Sequence, residues 1–231
     1  MKKILEFIET DFEADDNRVF SLKNINVCVF ENEITGIFVE PEEKDIPLFD
    51  LAEGMVRPSR GAVEFMGRRW QEMGASELLK NRGRIGRTFG AHAWLSNLTV
   101  LENLLLGQRH HTKRHEKDIR EEADRLASVL GVDRIPHVHS FSVPGHTLRK
   151  SELIRVFLGR PDLALIDLAG SKGDRADLDK LFALCRETAG NGTAFLLTTA
   201  DRQIWERVRQ EANRNFILGL DGTLKQLENP V

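Results

Sequence analysis

The sequence predicts an α/β fold with a mostly parallel sheet and a helical insertion at roughly residues 91–150. Three observations lead there. β-rich segments open the chain, a helical block fills its middle, and strand and helix patterns alternate to its end. The 231 residues suffice for one domain, 1–231, with the helical subdomain inside it.

The elements follow in order. "VFSLKNINVCVF" (19–30) alternates and is β-rich, so it reads as a strand, and "ENE" turns the chain. "ITGIFVE" (34–40) is a short apolar run of the kind a buried strand shows. "PLFDLAEGMV" (47–56) has apolar residues at helical spacing, with Pro47 suited to a first turn. "RPSRG" turns into the strand "AVEFMGRRW", and "GRIGRTF" (83–89) is a further strand. From Leu98 to Gly131 the pattern is helical. "LTVLENLLLG" and "DIREEADRLASVLGV" are joined by a basic link, "QRHHTKRHEK", and Thr99 with Glu102 forms a capping box. A helix (147–159), the buried strand "DLALIDLAG", a helix (174–190), the strand "GTAFLLTTA" and the helix "DRQIWERVRQEA" come next. A hairpin around Asp221-Gly222 closes the chain.

Composition excludes several classes. A net charge of −3 gives no basic field for nucleic acid. No apolar run approaches the ~20 residues of a membrane span. The N-terminus "MKKILEFIETDFEADD" turns acidic too soon for a signal peptide. Cys28 and Cys185 lie in apolar surroundings and read as buried free thiols of a reducing, cytoplasmic compartment. His111 and His115 would share a helical face with His110 nearby, but Lys113, Arg114 and Lys117 repel a cation, so a solvated basic link is expected and no metal site. His137 and His139 read as loop histidines. Ser142 and His146 lack the G-x-S-x-G elbow of a hydrolase.

The order of these segments resembles the nucleotide-binding domain of ATP-binding-cassette (ABC) transporters over about residues 18–227. "SLKNINVCVFENEITGI" looks like the family's first strands, and "LAEGMVRPSRGAVEFMGR" is similar to its stretch after the phosphate loop. "RIGRTFGAHAWLSNLTVLENLLLG" looks like the segment around the Q-loop. "LIRVFLGRPDLALIDLAGS" resembles the helix after the signature motif with the Walker B strand, "GTAFLLTTADR" the switch-histidine strand, and "LGLDGTL" the closing hairpin. The resemblance implies a P-loop NTPase core with N-terminal antiparallel strands.

A phosphate loop needs glycines whose N–H groups can turn toward the phosphates, a lysine, and a hydroxyl for Mg²⁺. The family pattern wants glycines at Val39, Glu42 and Lys44, the lysine at Asp45 and hydroxyls at Ile46 and Pro47. Glu40, Glu42, Glu43 and Asp45 set four carboxylates against Lys44, where each like-charge contact with a triphosphate costs on the order of 1 kcal/mol. These acids can instead cap the helix that follows. The Q-loop glutamine falls at Gly90. The signature serine falls at Pro144, with Gly145 and His146 at the glycines, or at Ser142 in a shifted register. Asp167 of Walker B is kept, and it reads as a hydrogen-bonded strand-end carboxylate. The general-base glutamate falls at Leu168, the proline after it at Ala169, and the switch histidine at Ala200, followed by Asp201.

These positions lead to an expectation of no enzyme and no cofactor: a structural or regulatory subunit of a membrane transporter, with the framework kept and the ligand-contacting positions changed. Its partners would be a transmembrane permease, reached through Ala91, His92, Trp94 and Leu95, and an active ABC ATPase subunit, at the cytoplasmic face of the inner membrane. One alternative is a subunit that binds ATP and Mg²⁺ through an unusual or composite site. Another is a soluble scaffold unrelated to transport. "LSNLTVLENLLLG" is similar to ATPases of lipid and small-solute transporters, too widely to fix a substrate.

Overall fold

The computed structural model describes residues 1–14, 20–40, 46–90, 94–168 and 175–228. In chain order it runs β1 (Lys3–Phe12), β2 (Leu22–Phe30), β3 (Ile34–Val39), α1 (Leu48–Ala52), β4 (Arg60–Phe65), β5 (Arg68–Arg69), α2 (Ala75–Arg82) and β6 (Ile85–Arg87). Then come α3 (Val100–His111), α4 (Glu116–Val129), α5 (Gly145–Phe157), β7 (Leu163–Asp167), α6 (Arg175–Ala189), β8 (Ala194–Thr199), α7 (Arg202–Glu211), β9 (Arg214–Leu218) and β10 (Leu224–Leu227).

Two sheets result. The first is antiparallel in the order β2-β1-β4-β5, and the second runs β10-β9-β3-β8-β7-β6. In the second, β9, β3, β8, β7 and β6 are parallel neighbours, and only the β10 edge pairs antiparallel. Side-chain alternation explains how it is covered. Ala164 and Ile166 of β7 and Phe195 and Leu197 of β8 face a core built with α3 to α7. Leu163, Leu165, Ala194 and Leu196 face a second core shared with the antiparallel sheet. Both faces are buried, so β7 and β8 read as continuous apolar runs.

Several expectations need correction. β1 was not read from the sequence, yet it is the centre of the first sheet, paired with β2 and β4. Its acids alternate outward while Leu5, Phe7 and Phe12 point into the core. The helix expected over 47–56 stops at Ala52, and α2 was not read from the sequence. The basic link is helical as far as His111, and α4 starts at Glu116, so His111 and His115 flank a break and share no helix face. The link is held by ion pairs, Arg109–Glu116 at 2.8 Å and Arg114–Glu122 at 2.6 Å. Of the loop histidines, His139 forms an isolated antiparallel bridge with Thr99. Cys185 is buried in the helical core, but Cys28 is only half-buried and donates to Glu6 Oε1 at 3.2 Å. The predicted capping box is present: Thr99 Oγ1 accepts from Glu102 N at 3.2 Å, and Thr99 N donates to Glu102 Oε2 at 2.8 Å.

Candidate functional site

Ligands of parallel α/β sheets bind beyond the carboxyl ends of the strands. Here those ends are Glu40 after β3, Thr88 to Gly90 after β6, Leu168 after β7 and Ala200 after β8. Glu42, Lys44 and Asp45, like Ala91, His92 and Ala169, lie outside the described residues. Ile46 packs against the core shared by the two sheets, and Pro47 is buried as the N-cap of the five-residue α1. Pro47 gives that helix no side-chain cap.

Leu168 is 1% exposed and donates its N–H to Thr198 O at 2.7 Å, so its side chain belongs to the helical core and not to the rim. Asp167 is held at its strand end by two threonines. Its N–H donates to Thr88 Oγ1 at 2.8 Å, and its carboxylate accepts from the Thr198 hydroxyl at 3.2 Å. Ala200 is exposed, and Asp201 caps α7 by accepting from Gln203 N at 2.8 Å and Ile204 N at 3.1 Å.

The group that sequence reasoning missed is Glu152. It lies on α5, is 2% exposed, and reaches across to the loop after β6. Its Oε1 accepts from the N–H groups of both Phe89 and Gly90, the latter at 2.8 Å. Gly90 itself has φ +72°, a left-handed backbone that glycine adopts readily. The two amides and the Glu152 carboxylate tie the backbone leaving β6 to α5. Arg149 pairs with Glu152 at 2.7 Å and also donates to the backbone carbonyl of Asp167. Arg155 lies 3.6 Å from Glu152 on the other side. Its guanidinium stands 5.5 Å from the Phe89 ring centre and 5.3 Å from that of Trp94. The spacing Arg149-x-x-Glu152-x-x-Arg155 puts all three on one helix face, and a glutamate there amid "LI" and "VF" was the available signal.

A second buried ionic group joins α1 to β6. Arg87 donates to Asp50 Oδ1 and to Glu53 Oε2, both at 2.7 Å. Burial pushes the Glu53 carboxyl up while the Arg87 cation beside it pulls down, and the net direction is upward. Arg87 lies under Phe89, 4.8 Å from its ring centre.

At the other end of this region α5 begins. Pro144 is its N-cap, without a side-chain hydrogen bond, and Pro144, Gly145 and His146 are exposed. A Cβ on Gly145 would meet nothing within 4 Å, so the space beside the first turn is open. Ser142 sits in a 3₁₀ turn whose neighbour Phe141 is 79% exposed. Of the partner residues, Trp94 is half-buried under Arg155, and Leu95 is 50% exposed. Leu95 is fixed by Asn103, which accepts from its N–H at 2.9 Å and donates to its carbonyl at 3.1 Å. Among the described residues no His, Cys, Asp and Glu cluster could hold a metal ion, and no helix is long and apolar enough to cross a membrane.

No model of a known protein family matches the chain. It is 27% identical over 179 residues to the phosphonates import ATP-binding protein PhnC of Alcaligenes faecalis, covering 72% of this chain and 64% of PhnC. It is 22% identical over 222 residues to the lipoprotein-releasing system ATP-binding protein LolD of Francisella tularensis subsp. tularensis, covering 95% of this chain and 93% of LolD. Among solved structures, the ATP-binding cassette MJ0796 bound to ADP and Pi matches with a TM-score of 0.84 at 18% identity, over 99% of this chain and 100% of that one. The fold is that of the ABC ATPases, with an antiparallel N-terminal sheet and a mostly parallel sheet.

Two expectations are thereby corrected, that the chain is not an enzyme and that it takes no cofactor. Its relatives PhnC and LolD are ATP-binding proteins, and the matched cassette is a post-hydrolysis state with ADP and Pi bound. The expectation rested on the altered phosphate-loop, Q-loop, signature, general-base and switch positions, whereas the relatives that the chain matches are ATP-binding proteins. The residues nevertheless differ in how they fit that ligand. On the rim of this chain's sheet they do not fit Mg²⁺-ATP: Leu168 is a core side chain, Gly90 turns its N–H to Glu152, and Pro47 carries no hydroxyl. At the start of α5 an open, glycine-led turn is free of such conflict.

Proposed function

We propose, for a chain related to the ATP-binding subunits of ABC transporters and built on their fold, that it is such a subunit and binds ATP through a composite site. The facing ATPase subunit contributes the phosphate loop and Mg²⁺ ligands. This chain contributes the first turn of α5, with Gly145 and His146 toward the phosphates. A helix N-terminus with free N–H groups favours an anion at that place. The observation that carries the reading is the exposed, uncapped start of α5 with open space at Gly145. In the same assembly a membrane permease contacts the surface around Phe89, Trp94 and Leu95, so the subunit sits at the cytoplasmic face of the inner membrane through its partner.

The test is calorimetric titration with Mg²⁺-ATP of this chain alone, of the facing ATPase subunit alone, and of the two together. Binding at least ~10-fold tighter for the pair than for either subunit, and lost in Gly145→Asp, supports the composite site. Affinity for the pair no greater than for the ATPase subunit alone refutes it. Saturable binding to this chain alone that disappears in Asp167→Ala supports the other form of the reading, an unusual site on this chain's own rim.

A further inference from the structure

We infer that Glu152 is a positioning residue that locks the Phe89–Gly90 backbone and, through Arg155, the Trp94 ring to the α5 helix and to the end of β7. The contacts lie within this chain and do not depend on the composite-site reading.

The carboxylate does three things at once. It accepts from the Phe89 and Gly90 N–H groups, which anchors the backbone leaving β6. Through Arg155, 3.6 Å away, it holds the cation that stands between the rings of Phe89 and Trp94. Through Arg149 it is tied to the Asp167 carbonyl. A buried carboxylate with this set of donors is held firmly, because any displacement strands a charge away from water. Phe89 is 53% exposed, so the latch reaches the surface. The chemistry also explains the choice of residue. The oxygen must accept from two backbone donors and balance two guanidinium groups, which an amide does only in part.

The contact predicts a local effect that general destabilisation does not mimic. Amide exchange is followed by NMR in the whole chain for wild type, Glu152→Ala and Glu152→Gln, with Leu196 in the buried β8 as reference. In Glu152→Ala the Phe89 and Gly90 amides exchange ~10-fold or more faster than in wild type, with Leu196 nearly unchanged. Glu152→Gln, which keeps an acceptor oxygen, gives a smaller acceleration at the same two amides. If the alanine variant does not fold, the glutamine variant decides. Acceleration confined to Phe89 and Gly90 supports the latch. Unchanged exchange there, or equal acceleration at Leu196, overturns it.

Discussion

Replacing Arg87 by methionine tests whether the α1–β6 ionic group is a structural pair. The guanidinium is 15% exposed and its two 2.7 Å partners, Asp50 and Glu53, are 24% and 10% exposed, so solvent screens little of the interaction. Removing one member of such a pair leaves a buried charge uncompensated, which costs ~3–5 kcal/mol. For a chain of this size each kcal/mol lowers Tm by ~2–4 °C, so the variant melts about 10 °C lower. The pH dependence carries the mechanism. Burial already raises the folded pKa of Glu53, and loss of Arg87 raises it further. An acid with a raised folded pKa binds protons more readily when folded, so stability falls as pH rises through that value. The deficit of Arg87→Met is therefore full at neutral pH and shrinks as pH falls toward the ordinary carboxylate range. Urea unfolding at several pH values measures it. A loss under ~1 kcal/mol, or a deficit that is the same at about pH 7 and about pH 5, refutes the reasoning. Adding Glu53→Gln removes the stranded charge and restores part of the loss, as a double-mutant cycle reads directly.

Two further outcomes follow from packing. A Cβ at Gly86 would lie 2.1 Å from the carbonyl oxygen of Val156, so Gly86→Ala forces β6 away from α5 and costs ~2–3 kcal/mol in urea unfolding. Asn103 is 3% exposed and bonds Leu95, Leu98 and Thr99. Asn103→Ala leaves those backbone groups unpaired, lowers stability by ~2 kcal/mol and speeds exchange of the Leu95 amide.

Where one face of a segment is buried, its period was legible in the sequence. β7, β8 and α3 were readable because burial dictates their apolar positions, and the Thr99/Glu102 box because capping is local chemistry. β1 was missed because its segment was weighed only as a possible signal peptide and not as a strand with its acids on the outer face. α2 has no buried residue, so no apolar stripe announced it. The candidate site was less legible for a different reason. Gly90 reads as a missing side chain until the fold shows that its N–H and that of Phe89 meet the Glu152 carboxylate. Glu152 lies 62 residues from Gly90, and such a pairing has no local signature.

The same point bears on how altered motifs are weighed. At the position where the resemblance would put a Q-loop glutamine stands Gly90, and α5 carries a buried glutamate whose carboxylate accepts from the Phe89 and Gly90 amides. The two residues form one arrangement, in which the loop is held by a fixed charge of the same chain. A rim arranged in this way differs physically from one that has only lost its ligands. Undirected change leaves buried charges without partners, whereas Glu152 has two guanidinium groups and two amide donors. The rim after β6 is thus built for internal anchoring, while the first turn of α5 stays open. That asymmetry, and not the count of altered motif positions, is the reason to look for nucleotide between this chain and another rather than on its own phosphate loop.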